Sequence, residues 1–270
     1  MYSGTTFRRG SGRIVGVHQK IDRIARRRLT KHIPAAINFP TISNIIHFEG
    51  KNGPDGLKLK GSSLQDEPWP YIDPVEPDDR VLLQQIDNRI VNLAKALGDH
   101  NDTRAAFEAA WLAHDIVDGL TPAHHYPLSS KKAQGRLIDP NHEVLTIDDE
   151  EIVLNLSRKE AILKRWEHWG TRGVIAHIMF EWGVASAIAS DSFSQAGPTS
   201  HDIKRLDQYG FETLFMESLH KIHDLKMYDG FIKKGWTRSL AAKTKKILVP
   251  EIIKVVTLAW SQAIIIARDK

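Results

Sequence analysis

The stretch AAWLAHDIVDGLTPAHHYPL, residues 109–128, carries more chemistry than any other part of the chain. Its first half is Ala-rich and apolar, the pattern of a helix with buried faces. Its second half breaks at Gly119 and Pro122, because proline has no N–H for the helical ladder and its ring clashes with the preceding turn. Three histidines and two aspartates cluster around that break. His114 and Asp118 are four apart, so a helix sets them on one face, one turn apart. Imidazole and carboxylate together suit zinc and similar divalent ions. His124 follows the break and can turn back toward the same pair. A helix that only had to fill a core would need none of these groups.

Outward from this stretch the periodicity is helical almost everywhere. Helices are expected at 13–32, 41–48, 79–98, 103–119, 157–168, 172–191, 201–226 and 236–268, the last interrupted near Pro250. Residues 79–98 show the clearest stripe, with Val81, Leu82, Ile86, Ile90, Leu93 and Leu97 apolar and Gly98 as a stop. Residues 49–79 are rich in Gly and Pro and read as a long loop, ordered over the core because it carries Trp69 and Tyr71. Residues 126–156 read as a polar insertion, and residues 1–12 as a flexible basic tail. No strand pattern persists and no repeat is visible. The fold class expected is all-α, one domain spanning 1–270.

The chain has 270 residues, 41% hydrophobic and 26% charged, ordinary values for a globular protein. Net charge is only +4 with histidines neutral, but it is uneven. RRGSGRIVGVHQKIDRIARRRLTKH and IKKGWTRSLAAKTKKIL are both strongly basic, which fits an anionic partner or a solvated helix face. With no cysteine there is no disulfide, thiol nucleophile or Cys-ligated zinc. The longest apolar run, residues 252–267, is short for a membrane span and contains Lys254, so a buried terminal helix is expected and no transmembrane segment. No apolar stretch of signal-peptide length opens the chain as written, and a cytoplasmic location is the expectation.

Further ligand candidates lie elsewhere. His177 and Glu181 are four apart among apolar neighbours, where an ionised Glu is costly unless paired or bound to metal. His18 and Asp22 repeat the spacing among arginines. His47 stands where a short helix enters the long loop. His220, His223 and Asp224 read as surface residues on a polar helix. Each pair alone fits an ion pair or a hydrogen-bonded core group. Two pairs on two long helices, with His124 after a proline break, favour a divalent-metal site. Trp166, Trp169 and Trp182 flank the second pair as candidates to line a pocket; core packing is expected for Trp182.

The pattern His114, Asp118, Pro122, His124 resembles the signature of the zinc-dependent phospholipase C and single-strand-specific nuclease superfamily. His177 and Glu181 are similar to its second ligand helix. VHQKIDRIA and IIHFEG resemble its early histidine-bearing segments. The resemblance implies an all-α fold with up to three zinc ions. His124, His177 and Glu181 would hold one. His114 and Asp118 would hold a second, with His47. Asp118 would bridge to a third near His18 and is the implied catalytic carboxylate. The chain departs from the family in beginning Met1-Tyr2, where the family begins with Trp. It also has no carboxylate in residues 32–46, for which Glu49 is the substitute on offer.

Three functions follow. One is metal-assisted hydrolysis of a phosphoester, a phospholipid head group or a nucleotide. Another is a helical binding or structural protein that keeps one metal site. The last is a basic module that holds nucleic acid or an anionic membrane surface non-specifically.

Overall fold

A computed structural model describes Met1 and residues 16–30, 39–56, 70–125 and 175–268. Every regular element among the described residues is helical, which establishes the all-α class. The helices are α1 (Val17–Leu29), α2 (Ile42–His47), α3 (Val81–Gly98), α4 (Asp102–Gly119), α5 (Ile175–Ile188), α6 (Ser200–His223), α7 (Met227–Lys234), α8 (Arg238–Lys243) and α9 (Val249–Arg268). The helix expected at 157–168 and the insertion at 126–156 lie outside the described residues.

α4 is the axis of the molecule. Asn101 caps it, its side chain accepting from Arg104 N at 3.0 Å. From Ala105 onward nearly every side chain is buried, because α3, α9, α2 and α1 all pack against it. A helix covered on several sides can afford Ala at the contacts, which lets its neighbours approach closely. The apolar α9 closes the core with Ile252, Val256, Ala259 and Trp260 fully buried, and Trp260 Nε1 donates to the Ala109 carbonyl at 3.0 Å. The continuous helix Arg238–Arg268 is long and apolar enough to cross a membrane, but most of its apolar window is packed inside this fold.

Pro250 sits in the first turn of α9, and the chain enters it through a π-helical turn at Thr244–Leu248. The wider turn relieves the proline's clash with the preceding carbonyls, so the helix continues where an interruption was expected. α6 begins with a capping box between Thr199 and Asp202 and kinks at Gly210, whose φ of 77° suits a residue without Cβ. It ends at His223, three residues short of the expected 226, and α7 (Met227–Lys234), which the sequence reading left in a connection, follows.

The basic face of α1 is used structurally. Lys20 Nζ donates to the Ile188 and Ala189 carbonyls at the end of α5. Arg26 donates to Pro40 O at 2.8 Å and Phe39 O at 3.1 Å, and Arg28 to Phe193 O and Ser194 O. These cations satisfy carbonyls that would otherwise lack partners at helix and loop ends.

Candidate metal centre

His114 and Asp118 do share one face of α4, and that face looks toward α1, α2 and Met1. His114 Nε2 lies 3.3 Å from Asp118 Oδ2. His18, from α1, stacks on His114 with ring centroids 4.2 Å apart and planes 17° from parallel. Its Nε2 is 3.3 Å from Asp118 Oδ1, so Asp118 reaches both rings, one with each oxygen.

Met1 stands at the same carboxylate. Its amino group contacts Asp118 Oδ1 and lies 3.4 Å from Glu181 Oε1, while its carbonyl accepts from His18 Nε2 at 2.6 Å. The head of the expected flexible tail is therefore 3% exposed and part of the site, and residues 2–12 lie outside the described residues. Two carboxylates hold Met1 in place, which no one-dimensional pattern announces.

Glu49 enters from the turn after α2. Its Oε1 accepts from His114 Nδ1 at 2.9 Å and is 3.9 Å from His18 Nδ1. His47 does not join. Its side chain is exposed and meets the edge of the Phe48 ring. α2 ends at His47 with that side chain toward solvent, and the chain then bends inward, so Glu49 is the buried member of the pair. Asp22, one turn along α1 from His18, is 1% exposed, and neither of its oxygens has a hydrogen-bond partner among the described residues. Burial, reinforced by Glu49, pushes its carboxyl well above the usual range. Asp55, which the sequence did not flag, brings Oδ1 to 3.8 Å from His114 Nε2.

A second group forms where the chain breaks at Pro122. The 3-10 turn Pro122–His124 swings His124 under residues 70–72: its Nδ1 donates to Pro70 O at 3.0 Å, its own carbonyl accepts from Ile72 N, and Tyr71 stacks on its ring at 5.1 Å. That leaves Nε2 facing Glu181 Oε1 at 3.4 Å. His177 Nε2 is 2.8 Å from the same oxygen. Tyr228 on α7, also missed by the sequence, has its hydroxyl pushed up to about 12 by burial and by Glu181. Trp69, the other aromatic of the long loop, lies outside the described residues.

The ligand atoms thus fall into two compact sets, His18–Glu49–His114 and His124–His177–Glu181, each within 4.8 Å. The first is buried throughout, and the second is partly open. Their electrostatics differ in sign. Burial works against a charged His114, but Glu49 and Asp118 outweigh it and hold its imidazole well above the usual range. Burial wins at His124, whose imidazole falls to about 4. Burial also opposes charge on Asp118 and Glu181, yet the Met1 ammonium and the neighbouring histidines hold both carboxyls well below their usual range. The ammonium itself loses solvation and still rises to about 10 beside Asp118 and Glu181.

His220 and His223 stay apart from both sets: His220 Nε2 donates to Pro74 O, and His223 pairs with Lys226. Trp182 is 43% exposed rather than core, in line with exposed Ile175, Ile178 and Met179 on one face of α5. On the far side of α4, Arg89 pairs with Asp115 at 2.7 Å and with Glu108 at 3.4 Å and lies over the Trp111 ring, so those buried acids are neutralised away from the site. Comparison with family models, with curated proteins and with solved structures returns no match, and the likeness to zinc-dependent phospholipases and nucleases rests on these residues alone.

Proposed function

We propose that the protein is a divalent-metal-dependent phosphoester hydrolase, with zinc as the ion and a fold like that of the zinc-dependent phospholipases C. The observation that carries this reading is convergence: two buried or half-buried sets of candidate ligands from five separate segments, joined by Asp118 and Glu181 around one amino group. Unpartnered buried oxygens on Asp22, and Glu49 and Asp118 set against histidines, form a donor set that suits a cation better than a dry core. His124, His177 and Glu181 are the ligands of one ion. His114 and Asp118, with Asp55 in reach, are those of a second. His18 and Met1 adjoin the other oxygen of Asp118 for a third.

When bound, zinc supplies Lewis acidity toward phosphoryl oxygens and lowers the pKa of a water molecule toward neutrality. The chain's own residues supply the rest. Asp118 holds two positions at once through its two oxygens. Glu181 keeps His124 and His177 on one oxygen. Tyr71 and the 70–72 segment fix the His124 ring. The apolar stripe Ile175, Ile178, Met179 and Trp182 runs beside the open set and suits a substrate with an apolar portion next to its phosphate.

The nucleic-acid module is the weaker alternative, because Lys20, Arg26 and Arg28 already serve backbone carbonyls. Metal content per chain, measured by mass spectrometry on protein purified without a His-tag or chelator, tests the proposal. Two or three zinc ions with turnover in a phosphoester screen is the expected result. One ion without turnover points to the structural reading. None after zinc addition removes the hydrolase.

A further inference from the structure

The buried histidine pair has two ends, and different carboxylates meet them. Asp118 faces the Nε2 end of both rings. Glu49 faces the Nδ1 end, with its Oε1 at hydrogen-bond distance from His114 alone. The two nitrogens of one imidazole point in diverging directions, so a group bonded at Nδ1 cannot share an ion bound at Nε2. Which nitrogen carries the proton is set by the hydrogen bond that the other makes.

We propose that Glu49 is a positioning residue: it accepts the Nδ1 proton of His114 and so directs Nε2 of that ring to Asp118. For its consequence in metal binding this rests on the hydrolase reading above; for its geometry it does not. Glu49 therefore replaces no ligand. It does for His114 what the Pro70 carbonyl does for His124. The device is rigid. Glu49 is buried, the His18 ring lies flat on His114 and blocks a ring flip, and α2 packs directly on α4, which fixes the depth at which Glu49 enters. A carboxylate at this position also raises the basicity of the ring it holds, more than a carbonyl does.

The test is proton NMR of the full chain, metal-free and zinc-loaded, for wild type, Glu49→Gln and Glu49→Ala. A slowly exchanging His114 Nδ1 proton, downfield of the amide signals, is expected in wild type with and without zinc. Glu49→Gln keeps it, because the amide oxygen still accepts, and Glu49→Ala loses it. Zinc affinity of the His114–Asp118 position falls about 10–100-fold in Glu49→Ala, while the equivalent held by His124, His177 and Glu181 is unchanged. Three outcomes overturn the proposal: no such proton in wild type, its persistence in folded Glu49→Ala, or its displacement by zinc. Displacement would mean that Glu49 and the two Nδ1 atoms hold the ion themselves. Should Glu49→Ala fail to fold, the wild-type and Glu49→Gln spectra decide. A chain that binds no zinc refutes the hydrolase, and the metal-free spectrum still decides the role of Glu49.

Discussion

The two clusters, a sealed one of His18, Glu49 and His114 around Asp118 and an open one of His124, His177 and Glu181, share chemistry but not setting. The first is sealed, with Glu49 and both rings buried, and a carboxylate meets each end of His114. The second is partly open, and a neutral carbonyl holds the back of His124. In the metal-free chain the sealed set therefore balances its carboxylates with a proton on His114, while the open set keeps His124 neutral. Structural zinc sites are closed and catalytic ones keep an open position. Under the proposed function, the contrast would give support to the sealed set and substrate access to the open one.

The sharpest way to break this contrast is Asp118→Asn, since Asp118 reaches His18, His114 and Met1 at once. Leaving the Met1 ammonium and His114 without this countercharge should cost about 3–5 kcal/mol of metal-free stability, read from urea midpoints, with the sealed cluster's metal lost. Retention of both stability and metal would contradict a bridging role. The variants His124→Ala and Glu181→Ala should instead lose the open set's metal alone.

Acid comes next. In the metal-free chain His124 titrates at about 4 when folded, against about 6.5 when unfolded. Below about pH 6.5 the unfolded chain takes up a proton that the folded chain refuses, so stability falls by about 3 kcal/mol as pH drops to 4. His125, pushed down to about 3 by burial, acts in the same direction. His114 has the opposite sign: its contribution is complete below the unfolded value and is lost as pH rises through its raised folded value. Zinc uptake at the sealed set should accordingly release protons near neutral pH, and uptake at the open set should release fewer. Calorimetry in two buffers of different ionisation enthalpy measures this, and equal release from both sets would erase the distinction.

Gly183→Ala probes the open set alone. A Cβ there would come within 2.3 Å of the Trp236 ring, which also contacts Phe180 edge-on. Overpacking of this kind costs about 1–3 kcal/mol and should tilt α5, moving His177 and Glu181 while the sealed set keeps its zinc. Lys20→Met is the mildest: losing the cation at the end of α5 should cost about 0.3–1 kcal/mol, with metal content unchanged in both sets. A larger loss of metal from the open set would mean that α1 governs its geometry.

Much of this centre was legible in the chain because helical spacing is a local property. His114 with Asp118, and His177 with Glu181, are four apart, and a 3.6-residue turn must pair them. Gly119 and Pro122 had to end α4, so His124 had to leave its axis. The exchange of His47 for Glu49 was not legible. Which of two residues in a short turn faces inward depends on how α2 lies on α4, and no periodicity records that. Trp182 was misplaced for a similar reason: an apolar residue on an apolar helix is buried only if something covers that face, and in the described residues it is exposed.

The sequence by itself determined the all-helical class, the composition of both His/carboxylate pairs, and the helix break that frees His124, all of which follow from backbone sterics and helical geometry within a few residues. Only the tertiary structure decided that His18 stacks on His114, that Met1 sits between Asp118 and Glu181, that Asp55 approaches, and that one set is sealed while the other is open. Those facts join residues tens to more than a hundred positions apart. They are set by how α1, α2, α4 and α5 are packed around a common core, and local spacing carries no information about that.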